Sequence, residues 1–262
     1  MTDATHALIQ HTSDARGVHQ ICLNRPDAFN ALSREVMTAL QQSLDAVAQD
    51  LQARVVVLSA QGKAFCAGHD LREMRASPSL AYYQALFKQC SRMMMSVQRL
   101  PVPVIAVVNG IATAAGCQLV AMCDLAVSSH ASKFAVSGVN LGLFCSTPSV
   151  ALSRNLSRKA AFEMLVTGDF ITAEQALVKG LVNAVVAPEA LDAAVQRYVD
   201  SILAKPRTAI AMGKKLFYEQ LEQPLEEAYA NAEHTMACNM MDDTALEGVQ
   251  AFIEKRNPSW KT

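Results

Sequence analysis

Apolar positions along the chain alternate between two spacings, one typical of β-strands and one typical of helices. Residues three or four apart predict a helix after Ser33, whose side chain can cap its first turn, and a second long helix over 79–99. Short runs rich in valine and isoleucine predict strands at 18–23, 54–60, 101–110, 124–129 and 181–187. Strands separated by helices indicate an α/β fold, and the chain has helical periodicity from about residue 188 onward.

The pattern recurs roughly every fifty residues as strand, strand and helix, which favours a coiled array of similar turns. The units share pattern rather than sequence. No GxGxxG motif opens the first helix and no GxxxxGK[ST] motif occurs, so dinucleotide and P-loop sites lose their main support.

One strand-to-helix junction is unusually poor in large side chains. In "NGIATAAGCQLVAMCDL" (109–125), the first eight residues are small or compact except Ile111. Tight packing between a strand and a helix is one explanation. The other is a ligand that must approach the free N–H groups at the start of a helix.

Composition excludes several classes of partner. The chain has 262 residues, 51% of them hydrophobic, and a net charge of −1, so no basic surface favours nucleic acid or an anionic membrane. No apolar run reaches the roughly 20 residues of a membrane span. Seven scattered cysteines favour reduced thiols in a cytoplasmic location, and without CxxC spacing or a histidine cluster we expect no metal site.

Five ordered blocks resemble the crotonase superfamily, the enoyl-CoA hydratases and isomerases. They are "ICLNRPDAFNALS", "GKAFCAGHDL", "PVPVIAVVNGIATAAGCQLVAMCDLAVSS", "EMLVTGDFITAEQALVKGLVNAVV" and "AFIEKRNPSW". Within the superfamily, "GHDL", "TAAGCQL" and "NLGLFCSTPSVAL" are most similar to the enoyl-CoA hydratase domain-containing protein 3 group. The resemblance implies a spiral of ββα turns over 1–195. It also implies a C-terminal helical segment, 196–262, that assembles a homotrimer or a dimer of trimers.

The resemblance also implies a chemical role for the small-residue junction. Two backbone N–H groups would hold the thioester oxygen as it becomes an oxyanion, one from His69 and one from Ala115. Losing one such donor typically costs about 3–4 kcal/mol of transition-state stabilisation. A bulky side chain at 114–116 would hold the thioester away, which explains the small residues.

The acid–base positions depart from the family pattern. Hydratases carry two glutamates that activate water, and the resemblance aligns these positions with Gln118 and Gly138. Lys133 to Arg154 contains no Asp or Glu at all. We therefore expect weak or altered chemistry rather than ordinary hydration. Restoring both glutamates should raise hydration, provided the backbone at 138 tolerates a side chain.

Other residues near these blocks carry possible chemistry. His69 could turn its ring toward the acyl group or toward solvent, and Asp70 could orient the loop or act as a base. Cys145 lies in a nucleophile-rich corner where a thiolate could attack a thioester. The alternative is a small-residue turn in which Ser146 or Thr147 caps a helix that begins near Pro148.

CoA is expected only as part of the substrate, with no permanently bound cofactor. Arginine and lysine would meet its phosphates and a phenylalanine would pack near adenine. The resemblance assigns CoA and substrate contacts to Arg25, Ala64, Ala67, His69, Asp70, Leu71, Arg72, Phe252 and Lys255.

Three functions remain open. The first is an acyl-CoA enzyme of the lyase or isomerase class in fatty acid metabolism, acting by hydration, isomerisation, decarboxylation or thioester cleavage. The second is a non-catalytic acyl-CoA-binding or regulatory protein, which the missing carboxylates favour. The third, a purely structural subunit, is disfavoured by the intact small-residue junction.

Overall fold

The computed structural model describes residues 7–76 and 78–260, and within them the strands form two sheets. The strands are β1 (Ile9–Ser13), β2 (Val18–Leu23), β3 (Val55–Ala60), β4 (Ala64–Cys66), β5 (Val104–Val108), β6 (Ile111–Thr113), β7 (Leu125–Ser129), β8 (Lys133–Ala135), β9 (Ile171–Thr172) and β10 (Ala184–Val186). The larger sheet has the order β1-β2-β3-β5-β7-β10, and the smaller has the order β4-β6-β8-β9.

From β3 to β8, successive strands alternate between the two sheets. Strands β3, β5 and β7 are parallel neighbours in the larger sheet, and β4, β6 and β8 are parallel neighbours in the smaller one. Each turn of the chain therefore adds one strand to each sheet before a helix returns it to the start. This arrangement confirms the predicted spiral of ββα turns.

The helices enclose the sheets and form most of the C-terminal part. They are α1 (Arg34–Gln49), α2 (Leu71–Ala76), α3 (Leu80–Arg99), α4 (Ala115–Met122), α5 (Ser146–Asn155), α6 (Arg158–Thr167), α7 (Ala173–Lys179), α8 (Leu191–Leu203), α9 (Arg207–Gln220), α10 (Leu225–Met240) and α11 (Asp243–Ile253). No helix in the described part of the chain is long and apolar enough to cross a membrane.

The central strands β3 and β5 of the larger sheet are buried on both faces, which explains their nearly continuous apolar runs. One face joins the main core with the smaller sheet and with α1, α3 and α4. The other face packs Val55, Val57 and Ile105 against α8, where Leu191 and Val195 are buried. The expected segment boundary at residue 195 therefore falls inside α8.

A buried ion pair attaches α9 to the spiral. Lys214 Nζ lies 2.6 Å from Asp124 Oδ2 and donates to the Val102 carbonyl at 2.9 Å, and the Tyr218 hydroxyl donates to Asp124 Oδ1 at 2.8 Å. The two charged side chains are only 7% and 14% exposed. Beyond this anchor, α9 to α11 leave several large apolar side chains exposed, including Leu225 and Met236.

Some helix boundaries differ from the predictions. Ser33 caps α1 as predicted, accepting from the Val36 N–H at 3.2 Å. The prediction that Ser146 or Thr147 caps the next helix is wrong, because α5 already begins at Ser146 and its N-cap residue is Cys145. The Ser146 hydroxyl donates instead to the Phe144 carbonyl, at 3.3 Å.

Candidate active site

The junction after β6 holds its backbone in an uncommon conformation. Ala114 has φ +51° and ψ −119°, which a residue with a side chain rarely adopts. Its N–H donates to the Ala135 carbonyl at 2.9 Å, and its carbonyl accepts from Gln118 N–H at 3.0 Å. Hydrogen bonds on both sides therefore hold Ala114 in place, and α4 begins at the next residue, Ala115.

The loop after β4 packs backbone to backbone against this junction. A Cβ at Gly116 would lie 2.1 Å from the Cys66 carbonyl oxygen, and one at Gly68 would lie 2.9 Å from the Ala114 Cβ. Only glycine fits at either place. The small residues thus serve close packing, and that packing brings the loop carrying His69 next to the N-terminus of α4.

The backbone N–H groups of His69 and Ala115 are among those at this meeting point that have no acceptor among the described residues. Leu32 pairs with the neighbours of His69, donating to the Gly68 carbonyl and accepting from Asp70 N–H, which leaves the His69 N–H on the opposite side. The Ala115 N–H is unpaired because the first N–H groups of a helix have no partner within it, and together with the His69 N–H it is available to a ligand.

Gln118 projects from the first turn of α4. Gln118 is 4% exposed, and its Oε1 atom is buried without a hydrogen-bond partner among the described residues. Leaving a buried acceptor unpaired typically costs about 1–3 kcal/mol, so such groups usually have a function.

The space beside Gly138 is already filled. A Cβ there would lie 2.5 Å from the Leu143 carbonyl oxygen and 2.7 Å from the Cys145 Sγ. The Leu143 N–H also donates to the Gly138 carbonyl at 3.0 Å, which closes the loop tightly. Residue 138 lies outside the left-handed region, so steric room rather than backbone strain excludes a side chain here.

Cys145 is a poor nucleophile in this setting. Burial raises the pKa of its thiol, and a backbone hydrogen bond with Gly138 offsets only part of that effect. Among the described residues, the hydrogen bond between a cysteine sulfur and a histidine involves Cys238 and His234, not Cys145. The arrangement therefore disfavours a thiolate.

The His69 ring turns toward α3 and not toward bulk solvent. Its centroid lies 5.5 Å from that of Phe87, edge to face, and both ring nitrogens are buried without a partner among the described residues. Burial lowers the pKa of His69, and the nearby Leu32 carbonyl and Glu73 carboxylate offset only part of that effect. Burial therefore favours the neutral form of the ring.

Asp70 orients the loop. It accepts from Arg25 Nη1 at 2.7 Å and from the backbone N–H groups of Arg72 and Glu73 at the start of α2. Burial pushes the pKa of Asp70 upward, but the hydrogen bonds from Arg25 and the two N–H groups leave it below its usual range. Asp70 is thus an anchoring carboxylate rather than a base.

The residues expected to contact CoA fall into two groups. Arg25 and Asp70 line a cleft of about 290 Å³ together with Ser33, Glu35 and Glu73. Around it, the Ala64 carbonyl accepts from Asn30, the Ala67 N–H donates to the Phe29 carbonyl, and Leu71 and Arg72 are exposed. Phe252 and Lys255 lie at the surface at the end of α11, and Phe252 is 84% exposed.

Sequence reasoning missed a hydroxyl pair beside the junction. Thr113 Oγ1 lies 3.0 Å from Ser137 Oγ. Thr113 is two residues before Ala115, and Ser137 immediately precedes Gly138. The parallel register of β6 and β8, with Thr113 opposite Ala135, brings the two hydroxyls together. The only signal in the sequence was a hydroxyl residue next to each motif.

Comparisons with known proteins agree with this geometry. The family model described as enoyl-CoA hydratase/isomerase matches residues 13–262. The mouse mitochondrial enoyl-CoA hydratase domain-containing protein 3 is 45% identical over 249 residues, covering 95% of this chain and 83% of that protein.

Two solved structures are also similar. One, described as the enoyl-CoA hydratase of Mycobacterium smegmatis, has a TM-score of 0.97 and 62% identity, covering 98% of this chain and all of that one. The human enoyl-CoA hydratase domain-containing protein 3 has a TM-score of 0.93 and 42% identity, covering 97% of this chain and all of that one. The resemblance predicted from the five sequence blocks is confirmed.

Proposed function

Because the chain belongs to the enoyl-CoA hydratase/isomerase family, we propose that it binds an acyl-CoA thioester and stabilises the enolate form of its acyl group. The thioester oxygen would accept hydrogen bonds from the N–H groups of His69 and Ala115. The observation that carries this proposal is the pair of unpaired N–H groups at a junction held in a strained conformation.

The energetics favour an oxyanion at this position. Preorganised donors act strongly in a site that excludes water, and each contributes roughly 3–4 kcal/mol to transition-state stabilisation. The partial positive charge at the N-terminus of α4 adds to their effect. Neither contribution requires an ionisable side chain.

Ordinary hydration is disfavoured as the reaction. Gln118 cannot exchange a proton as a carboxylate does, and the packing at Gly138 leaves no room for a second acid–base group. A lyase or isomerase with altered chemistry in fatty acid metabolism fits these features. A non-catalytic acyl-CoA-binding or regulatory protein is the second candidate, favoured by the same two residues. The raised pKa of Cys145 disfavours a thioesterase that uses this thiol.

Assembly would complete the CoA site. Phe252 and Lys255 are exposed in a single chain, and the exposed apolar side chains of α9 to α11 fit a contact with other copies. We infer a homotrimer or a dimer of trimers, with Arg25 and residues 64–72 contributing the rest of the CoA contacts. The cysteines favour a reducing compartment. A cytoplasmic location stays a prediction, since the mouse relative is named mitochondrial.

Calorimetry with acyl-CoAs of different chain length tests the proposal. Binding should release or absorb heat and raise the melting temperature by mass action. Ala115→Pro removes one N–H at the first position of α4 and should abolish turnover in a variant shown by circular dichroism to be folded, whereas Ala115→Gly should retain turnover. Absence of heat and of any melting shift with every acyl-CoA would refute acyl-CoA binding.

A further inference from the structure

A chain of hydrogen bonds outside the candidate active site joins two histidines to one carboxylate. His11 Nε2 lies 3.0 Å from His19 Nδ1, and His19 Nε2 lies 3.0 Å from Asp50 Oδ2. His11 lies on β1, His19 lies on β2, and Asp50 directly follows the last residue of α1. His19 is only 4% exposed, so water does not easily replace either of its partners. The chain therefore ties β1, through β2, to the end of α1.

The register of the two strands brings the rings together. β1 and β2 are antiparallel, with His11 opposite Ile21 and His19 opposite Ser13, so the histidines are diagonal neighbours on one face of the pair. Their ring centroids are 5.2 Å apart. β1 is the edge strand of the larger sheet, with β2 as its neighbour. Because an edge strand has ladder hydrogen bonds on one side, side-chain bonds contribute a larger share of its attachment.

The carboxylate determines which ring nitrogens carry protons. The Gln52 N–H donates to Asp50 Oδ1 at 2.8 Å, and this bond holds the pKa of Asp50 below its usual range. The ionised Asp50 can only accept, so His19 donates from Nε2 and, when neutral, has a bare Nδ1. That bare nitrogen accepts from His11 Nε2, which leaves the lone pair of a neutral His11 at Nδ1.

One added proton keeps both hydrogen bonds, whereas a second proton cannot. The first occupies the bare Nδ1 of His11. The second has to go to His19 Nδ1, where two N–H groups and two positive charges would then face each other across 3.0 Å. We propose that acidification releases β1 by this second protonation, which breaks the bond between His11 and His19 and leaves His19 paired with Asp50. The proton comes from solvent, and no bond between heavy atoms changes.

The neighbouring charges do not relieve the repulsion between the two rings. Arg207, at the start of α9, lies close to Asp50, and Arg54 lies close to Arg207. Both guanidinium groups donate to backbone carbonyls. At the turn between β1 and β2, Asp14 is paired with Arg16 at 2.8 Å. Strands β1, β2 and β3 carry no acidic or basic side chain besides the two histidines. Asp50 therefore supplies the negative charge beside the rings.

Proton linkage gives the size of the effect. The released strand binds one more proton than the attached strand, and an unconstrained histidine titrates at about pH 6.5. The extra proton therefore favours release by roughly thirtyfold at pH 5.0 and hardly at all at pH 7.5. Burial and the nearby His19 lower the pKa of His11. The attached strand thus gains little from its first proton, so the effect is at least this large.

Hydrogen–deuterium exchange of the full chain measures the release. Protection of β1 should fall roughly thirtyfold between pH 7.5 and 5.0 after correction for the intrinsic exchange rate, and protection of the central strand β5 should fall much less. His11→Gln should keep β1 protected at pH 5.0, because its amide can donate to His19 Nδ1 or, after rotation, accept from it. The matched control His130→Gln, which changes an exposed histidine, should behave as the wild type.

Nitrogen NMR of the protein labelled in its histidine rings tests the proton order. At pH 8, His11 and His19 should each have a bare Nδ1 and a protonated Nε2, and both rings should become doubly protonated over the pH range in which β1 loses protection. A protonated Nδ1 on His19 at pH 8, or two doubly protonated rings while β1 stays protected, would overturn the proposal. Equal loss of protection in the wild type and in His11→Gln would overturn it as well. Should His11→Gln expose β1 at both pH values, the wild-type ring spectra still decide between these outcomes.

Discussion

Adding a single methyl group at Gly138 should destabilise the protein, because the position has no room for one. The new Cβ would lie 2.5 Å from the Leu143 carbonyl oxygen, 0.9 Å closer than the 3.4 Å at which ordinary contact begins. The Cys145 Sγ is flexible, but the Leu143 oxygen is backbone and is tied to Gly138 by the hydrogen bond from the Leu143 N–H. Gly138→Ala therefore overpacks the site, at a cost of about 1–3 kcal/mol.

Gly213→Ala is the matched control. Gly213 lies inside α9, and a Cβ there meets no atom within 4 Å. This change should stabilise the protein by about 0.5–1 kcal/mol, because alanine loses less backbone freedom than glycine in a helix. The same chemical substitution is thus expected to have opposite signs at the two positions.

Chemical denaturation measures both effects as shifts of the unfolding midpoint at constant slope. Gly138→Ala should move the midpoint to lower denaturant, and Gly213→Ala should move it to higher denaturant. A Gly138→Ala protein as stable as wild type would refute the packing argument. The same argument corrects the expectation that restoring both glutamates raises hydration: Gln118→Glu combined with Gly138→Glu should lose stability without gaining an effective acid–base pair.

Three further predictions concern the anchor of α9, the histidines and Gln118. Lys214→Met leaves Asp124 without its buried partner and should lower the free energy of unfolding by about 3–5 kcal/mol. Lys215→Met, which removes an exposed i,i+4 ion pair, should lower it by at most about 0.5 kcal/mol. Equal denaturation midpoints for the two variants would contradict this. Burial lowers the pKa of both His11 and His69 below 6.5 in the folded state. The unfolded chain therefore takes up protons first, and the free energy of unfolding should fall as pH drops from 7.5 to 5.5. A denaturation midpoint that stays constant or rises over that pH range would contradict this. The wild-type rate of crotonyl-CoA hydration, measured as loss of enoyl absorbance, should be several orders of magnitude below that of an efficient hydratase. Gln118→Glu alone should restore only a small part of that rate, because the second acid–base group is still missing. An efficient wild-type rate would contradict this and reveal an unassigned base, with His69 the first residue to mutate.

Local sequence patterns predicted most of the fold because the central strands β3 and β5 are buried and nearly continuous in apolar residues. The strand at 18–23 and the helix over 79–99 agree with β2 and α3 to within one residue. Strand β1 carries polar residues on its exposed side and was missed. The strand expected over 181–187 contracts to Ala184–Val186, because only these residues pair with β7.

The candidate site was only partly predictable, because its remaining features depend on contacts between distant segments. The small residues at 114–116 marked the junction, since their absence of bulk is a local property. The pairing of Thr113 with Ser137 depends on the register of β6 and β8, which no local pattern specifies. The filling of the space at Gly138 by Cys145 likewise depends on how the loop to α5 closes.

The central claim is that the thioester oxygen accepts hydrogen bonds from the N–H groups of His69 and Ala115. Infrared difference spectroscopy of butyryl-CoA labelled with ¹³C at the thioester carbonyl tests this directly, because hydrogen bonds to the oxygen polarise the carbonyl. The account predicts a shift of the carbonyl stretch to lower frequency on binding, and a smaller shift in Ala115→Pro at matched occupancy. A carbonyl frequency for bound butyryl-CoA equal to that in water, at full occupancy, would contradict it.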